Sequence, residues 1–331
     1  MRYTRLFTTL AAGALLTLTA CGGESDSAGA APEAGAPAAA EGAFPATIAT
    51  KFGDVTVDER PERVVALGWG DAELALELGV QPVGAADWLA FGGEGVGPWN
   101  EGRYDESPEI LGTLELSYEA VAELRPDLIL DVRGSGDEER YERLSSIATT
   151  IGVSDGGDSY LTPADDQVRM IAAALGNVEG GEEMLAETDA AFEAVAAGHP
   201  EWAGRTVTAA TRTSEGWGAY VNDARVDFLE RLGFTPSPTI AELPVDANGW
   251  TVSLSEEQLD QLDADLIVAF PIWIDVAQIE DNASWRAVPA VADGRAVVIT
   301  DDLSAAYSLG TPTAQRYALA ELAPQIEAAL G

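Results

Sequence analysis

From residue 63 onward the chain alternates between short apolar runs and segments with apolar residues at helical spacing. Residues 63–67 (RVVAL) predict a buried strand, ended by Gly68-Trp69-Gly70. Asp71 is placed to cap a helix over 72–78, which stops at Gly79, and 80–85 predict a second strand. Residues 89–108, rich in Gly, Trp, Asn and Pro, read as loop. A short helix over 118–124 ends before Pro126, and 127–132 form an apolar strand. These runs are continuous and do not alternate with polar residues, so the strands are covered on both faces. Together with the intervening helices, that implies an α/β fold with mainly parallel sheet. Residues 163–197 carry the longest helical pattern: Val168, Ile171, Ala172 and Leu175, then Met184, Leu185, Phe192 and Val195, with weak points at Gly176 and Gly180-Gly181. After His199-Pro200 the alternation resumes. Strands are predicted at 206–210, 265–270 and 296–300, and helices at 226–232, 256–262 and 313–330.

The two halves repeat one another. Residues 119–130 (EAVAELRPDLIL) align without gaps on 257–268 (EQLDQLDADLIV), matching Glu119 with Glu257, Leu124 with Leu262 and Asp127-Leu128-Ile129 with Asp265-Leu266-Ile267. Any helix-to-strand joint is constrained in this way by capping and burial. Here, though, the whole order strand, helix, helix, strand recurs. The simplest architecture is two similar α/β lobes, 45–162 and 199–331, bridged by the helical segment 163–198. Ligands of open α/β sheets bind outside the carboxyl ends of the strands, so facing lobes imply a cleft between them.

The N-terminus predicts an address. Arg2 and Arg5 precede an uncharged apolar stretch, 7–20, too short for a membrane span of about 20 residues but suited to a signal peptide. It closes on Leu18-Thr19-Ala20-Cys21-Gly22, which resembles the bacterial lipobox. Residues 1–20 are therefore expected to be removed and Cys21 to carry a lipid. Each buried methylene contributes about 0.8 kcal/mol, so two or three acyl chains hold firmly where one holds marginally. Residues 22–43 are almost wholly Gly, Ala, Ser, Pro and acidic, too poor in apolar surface to offset ordering entropy. Segment 21–44 is expected to act as a disordered tether on the outer face of the cell membrane.

Composition narrows the function classes. With 56 acidic against 18 basic residues the net charge is −38, which opposes nucleic-acid binding and self-association and favours a soluble monomer. His199 is the only histidine and Cys21 the only cysteine. An imidazole zinc site and Ser-His-Asp or Cys-His catalysis are thereby excluded. No P-loop, dinucleotide GxGxxG, GxSxG or EF-hand pattern occurs; residues 92–97 (GGEGVG) lack the spacing. Carboxylate pairs abound and select nothing. A non-enzymatic protein without a cofactor is expected, with a lipid-anchored α/β hydrolase as the enzyme alternative.

From about residue 46 the chain resembles the substrate-binding lipoproteins of bacterial ABC importers for iron-siderophores, the group that includes ferric hydroxamate-, ferric dicitrate- and cobalamin-binding proteins. The resemblance is carried by 61–68 (PERVVALG), 78–84 (LGVQPVG), 124–130 (LRPDLIL), 225–233 (RVDFLERLG) and 255–259 (SEEQL). It implies two α/β lobes bridged by a long helix, with little hinge motion. The implied task is capture of a ferric siderophore in the cleft and delivery to a permease and its ATPase. Cobalamin or haem is the alternative ligand, and iron is expected only as part of the siderophore. One surface glutamate on each lobe pairs with permease arginines in this family, and by position these are Glu119 and Glu257. Glu73 and Glu256 are the neighbours with which they are confused. Carboxylates fixed at equivalent places offer registered, charge-assisted anchors for guanidinium groups, although the helix dipole alone also favours acidic residues there. Strand-end loops are expected to present Trp69, Trp88, Phe91, Arg133 and Tyr160 from the first lobe. The second lobe would present Arg212, Trp217, Tyr220, Trp250, Trp273 and Tyr307. Aromatic walls with a few arginines suit a bulky iron complex. Arg133 and Arg212 each follow an apolar strand. Core packing is the competing role for each tryptophan, and a salt bridge to Asp131 or Asp137 for Arg133.

Overall fold

In the computed structural model, which describes residues 43–331, the apolar strands divide their side chains between two cores in each lobe. A hairpin of β1 (Ala46–Thr50) and β2 (Gly53–Val57) leads into the first sheet. That sheet comprises β3 (Val64–Ala66), β4 (Gly84–Ala86), β5 (Glu109–Leu111), β6 (Leu128–Leu130) and β7 (Thr149–Ile151), all parallel in the order β5-β4-β3-β6-β7. Successive strand residues face opposite ways. Val64, Ala66, Leu128 and Leu130 join Val168 and Ile171 of the bridging segment and Ile48 of the hairpin. Val65, Leu67 and Ile129 pack on the other face against Leu111, Val121 and Leu144.

The second sheet comprises β8 (Thr206–Arg212), β9 (Trp217–Tyr220), β10 (Thr235–Pro236), β11 (Thr251–Leu254), β12 (Leu266–Pro271) and β13 (Ala296–Val298). Its order is β11-β9-β8-β12-β13, with β10 parallel beside β8. The same division holds: Val207, Ala209, Leu266, Val268 and Phe270 face one core, and Ala210, Ile267 and Ala269 the other. The sheet is not wholly parallel, because β9 runs antiparallel to β8 and β11 antiparallel to β9. Residues 213–216 make a tight turn in which Thr213 N–H donates to Gly216 O. So short a link cannot return the chain in the same direction; a parallel neighbour needs a long crossover.

The repeat is visible in hydrogen bonds as well as in sequence. Asp127 accepts from the Glu62 and Arg63 amides at 2.8 and 2.9 Å, fixing the entry to β3 beside β6. Asp265, its counterpart, accepts from the Thr206 amide and hydroxyl at 2.8 and 2.9 Å, fixing β8 beside β12.

The bridge is two helices, Ala164–Ala174 and Val178–Gly198, broken where expected at Gly176, whose φ is 70°. The Asn177 side chain caps the second helix by accepting from Gly180 N–H. Gly180 and Gly181 do not interrupt it. A Cβ on Gly181 would stand 2.6 Å from Ala172 Cβ, so that glycine allows the two helices to touch. The helix predicted over 256–262 is a 3-10 segment, Glu256–Leu262, held by a capping box between Ser255 and Gln258. Helices Glu138–Ser145 and Asp301–Leu309 were not predicted; the first buries only Leu144 and so lacks an apolar stripe. Among the described residues no helix is long and apolar enough to cross a membrane. The predicted lipid site at Cys21 lies outside the described residues.

Candidate ligand-binding site

Tight turns at the carboxyl ends of the first sheet bring three predicted aromatics together. After β3 the chain passes Gly68, where a Cβ would stand 2.2 Å from Asp71 Oδ2 and 2.8 Å from Arg133 N, so only glycine fits. Trp69 then lies 5.5 Å from Trp88, which follows β4 and donates its indole N–H to Leu67 O at 2.9 Å. Tyr160 meets Trp88 edge-on at 5.2 Å. Ser159 and Tyr160 both have left-handed backbone, φ 56° and 67°, a conformation that costs non-glycine residues of order 1–3 kcal/mol each. Their amides donate to Ser135 O and Gly134 O at 2.9 and 3.0 Å, which fixes the tyrosine on the β6 loop.

Arg133 has a different role from either one predicted. Only 5 % exposed, it donates through Nε to Tyr160 O at 3.1 Å and through Nη1 to Leu309 O, in the other lobe, at 2.9 Å. Neither expected carboxylate holds it. Asp131 takes Arg140 through two bonds of 3.0 and 2.9 Å, and Asp137 caps helix Glu138–Ser145. Arg133 therefore ties the lobes together.

A second tie runs through helix Asp71–Glu77. Glu73, 3 % exposed, accepts from Gly97 N–H at 2.9 Å, the Trp99 indole at 2.5 Å and Asn100 Nδ2 at 3.0 Å. Across the seam it also accepts from the Thr311 hydroxyl at 3.3 Å, while Trp99 packs on Tyr317 at 5.2 Å. Burial pushes the Glu73 carboxyl up to about 7 despite these donors. Burial does the same to Asp71, also to about 7, although Val132 N–H and Gln167 Nε2 donate to it at 2.8 and 2.7 Å. Being internal, Glu73 is removed from confusion with the surface glutamates Glu119 and Glu257.

The second lobe offers a hollow of about 440 Å³ at the β8–β9–β11 end of its sheet, a size that suits a small-molecule ligand. Trp217, Tyr220 and Trp250 line it. Tyr220 stacks on Trp250 and on Phe270, both at 5.8 Å, and Arg225 covers its ring at 4.4 Å. Arg212 lies beside the hollow, 5.8 Å from the Trp217 ring; its Nη1 donates to Thr213 O while its buried Nε has no protein partner. The indole nitrogens of Trp69 and Trp217 are likewise buried and unpartnered. Buried donors without acceptors are rare in folded proteins, and three of them belong to predicted site residues. The 246–250 loop meets the first lobe where a Cβ on Gly249 would stand 3.8 Å from Leu161, the residue after Tyr160.

Other predicted residues fall elsewhere. Tyr307 is 1 % exposed and its hydroxyl donates to Arg225 O at 2.7 Å, so it belongs to the core and not to the cleft. Trp273 is 88 % exposed with φ 54°, on the rim beyond β12. Phe91 packs edge-on against Trp99 at 5.7 Å and lines a separate hollow of about 480 Å³ with Glu94, Glu101 and Asp302. Arg225 was missed. It is 7 % exposed, donates to Asp223 at 2.8 Å and Ser308 at 3.3 Å, and links both to the Tyr220 ring it covers. Its signal was an arginine in the first turn of an apolar helix, two residues after an aspartate. Glu119 and Glu257 are both exposed in the first turns of their segments, at repeat-equivalent places. Glu256 is exposed too but accepts from Asn282 Nδ2 at 3.1 Å.

This architecture has relatives. The profile of the periplasmic binding protein family matches residues 64–303. YfiY of Bacillus subtilis, a probable siderophore-binding lipoprotein, is 24 % identical over 259 residues, covering 74 % of this chain and 77 % of the relative. A periplasmic solute binding protein from Mycobacterium smegmatis superposes with a TM-score of 0.75 at 25 % identity, over 86 % of this chain and 99 % of that one. PiaA of Streptococcus pneumoniae in complex with ferrichrome gives 0.71 at 25 % identity, over 86 % and 98 %. With its two lobes, mainly parallel sheets and helical bridge, the chain belongs to the periplasmic binding protein family.

Proposed function

We propose that this chain is the extracytoplasmic substrate-binding component of an ABC importer, capturing a ferric siderophore between its lobes and delivering it to the permease. One observation carries the ligand reading. Trp217, Tyr220 and Trp250 line a hollow of about 440 Å³ at the strand ends of the second lobe, and Arg212 Nε and the Trp69 and Trp217 indoles are buried donors lacking protein acceptors. Aromatic faces cover the apolar arms of a bulky chelate, and the donors meet its oxygens. The ligand leaves unchanged, so the protein is not an enzyme. Its single histidine stacks on Trp202 at 3.9 Å, at the end of the bridge.

Glu119 and Glu257, exposed on the two lobes, are the permease contacts in this reading, and the protein works as a monomer. Cys21 carries the lipid, with residues 21–44 linking the anchor to the lobes; Cys21→Ser is then expected to move the protein from the membrane to the soluble fraction. Tryptophan fluorescence titrated with ferric siderophores, cobalamin and haem tests the ligand. Sub-micromolar binding of a siderophore is expected, and binding of none, or of cobalamin or haem alone, refutes it. In the same series, Glu119→Ala with Glu257→Ala is expected to abolish uptake at unchanged affinity. Loss of affinity would instead put one of them in the cleft.

A further inference from the structure

The charge around the hollow bears on which iron complex it accepts. Resting on the siderophore reading, we infer that the site is built for a ferric trihydroxamate, neutral at its metal centre or bearing a pendant cation, and not for a polyanionic catecholate or hydroxycarboxylate complex. Three hydroxamates, each with one negative charge, neutralise Fe(III). Three catecholates, each with two, leave the complex at minus three, and it then needs several free cations as partners.

The cations of this protein are mostly committed elsewhere. Lys51, the only lysine, donates to Gly136 O at 2.8 Å and to Asp158 at 2.5 Å. Of the arginines at the strand ends, Arg133 holds two carbonyls, Arg140 holds Asp131, and Arg225 holds Asp223 and Ser308. Arg212 is the one whose buried Nε has no protein acceptor.

Negative charge is closer. Among the described residues the only charged ones lining the hollow are Glu215 and Asp246. Asp246 is fixed there by the Thr251 and Ser253 hydroxyls, each donating at 2.9 Å. Beyond the site, the net charge of −38 repels an approaching polyanion and attracts a cation. A neutral chelate meets neither penalty, and its methylene arms cover the rings of Trp217, Tyr220 and Trp250. A pendant ammonium would meet Glu215 and Asp246.

The purified chain titrated with ferrichrome (neutral trihydroxamate), ferrioxamine B (cationic trihydroxamate), ferric enterobactin (tricatecholate) and ferric dicitrate decides the matter. Trihydroxamates are expected to bind at least tenfold more tightly than either anion. Ferrioxamine B should lose affinity as salt rises, and ferrichrome should not. Glu215→Gln with Asp246→Asn should weaken ferrioxamine B several-fold more than ferrichrome, and equal losses for the two would overturn the role given to these carboxylates. An anionic complex that binds as tightly as the trihydroxamates overturns the inference while the siderophore reading stands. Failure of all four overturns both.

Discussion

Arg133 and Arg212 stand in matching local settings, each at the end of an apolar strand in a chain with few cations, yet the two lobes use them differently. In the first lobe Tyr160 O and, across the seam, Leu309 O lie within reach, so the guanidinium becomes a tie. In the second, the tight turn after β8 supplies only Thr213 O, and Nε stays without a protein partner. A guanidinium's role is set by which acceptors the fold brings to it, and those acceptors come from distant parts of the chain.

The sharpest way to break this contrast is to remove both cations in turn. Arg133→Met leaves two carbonyls without their donor and removes a positive charge that acts on Asp71 and Asp223. Losing one member of a buried charged network costs about 3–5 kcal/mol, so urea unfolding is expected to show a loss near 3 kcal/mol. A loss under about 1 kcal/mol would mean that Arg133 ties nothing.

Next in size is the pH response of the seam beside that tie. Burial raises Asp71 and Glu73 to about 7, above their unfolded values near 4. The folded state then binds more protons than the unfolded one in this window, so stability falls as pH rises from about 4 to about 7. The contribution of each group is a few kcal/mol at most. Urea midpoints measured between pH 5 and 8 should decline, and Asp71→Asn should flatten the slope. A wild-type curve flat over that range would contradict the raised values.

The smallest of the three effects is Arg212→Met. Affinity for the ligand is expected to drop about tenfold, equivalent to 1.4 kcal/mol, with unfolding stability changed by less than about 1 kcal/mol. If stability falls and affinity holds, Arg212 is a structural residue like Arg133 and the comparison collapses.

Most of the fold could be read from the sequence because local physics sets it. The runs around Val64, Leu128, Val207 and Leu266 were legible as covered strands, and Gly176 as a break in the bridge. The three-residue strands β5 and β7 were not legible, since Glu109–Leu111 and Thr149–Ile151 are too short and too polar to stand out. Trp69, Trp88 and Tyr160 could be placed together at the strand ends because strand-end position is a local property. Tyr307 could not be told from them. Its burial depends on Arg225, 82 residues away, and on the unpredicted helix Asp301–Leu309 that carries it. Arg225 was hidden for the same reason, as its partner Ser308 sits on that helix.

The contact between Gly70 and Thr311 has a consequence for how the importer is supplied. A Cβ on Gly70 would stand 2.8 Å from Thr311 Cγ2, and the Arg133 and Glu73 bonds flank that point. Lobes riveted this closely leave little amplitude for closure, so under the proposed function empty and loaded receptor would present nearly the same outline. A permease that reads those outlines is occupied by both. Under the proposed function import would then depend on stoichiometry: receptor made in excess of ligand would compete with its own loaded form, and throughput would peak at an intermediate receptor-to-permease ratio.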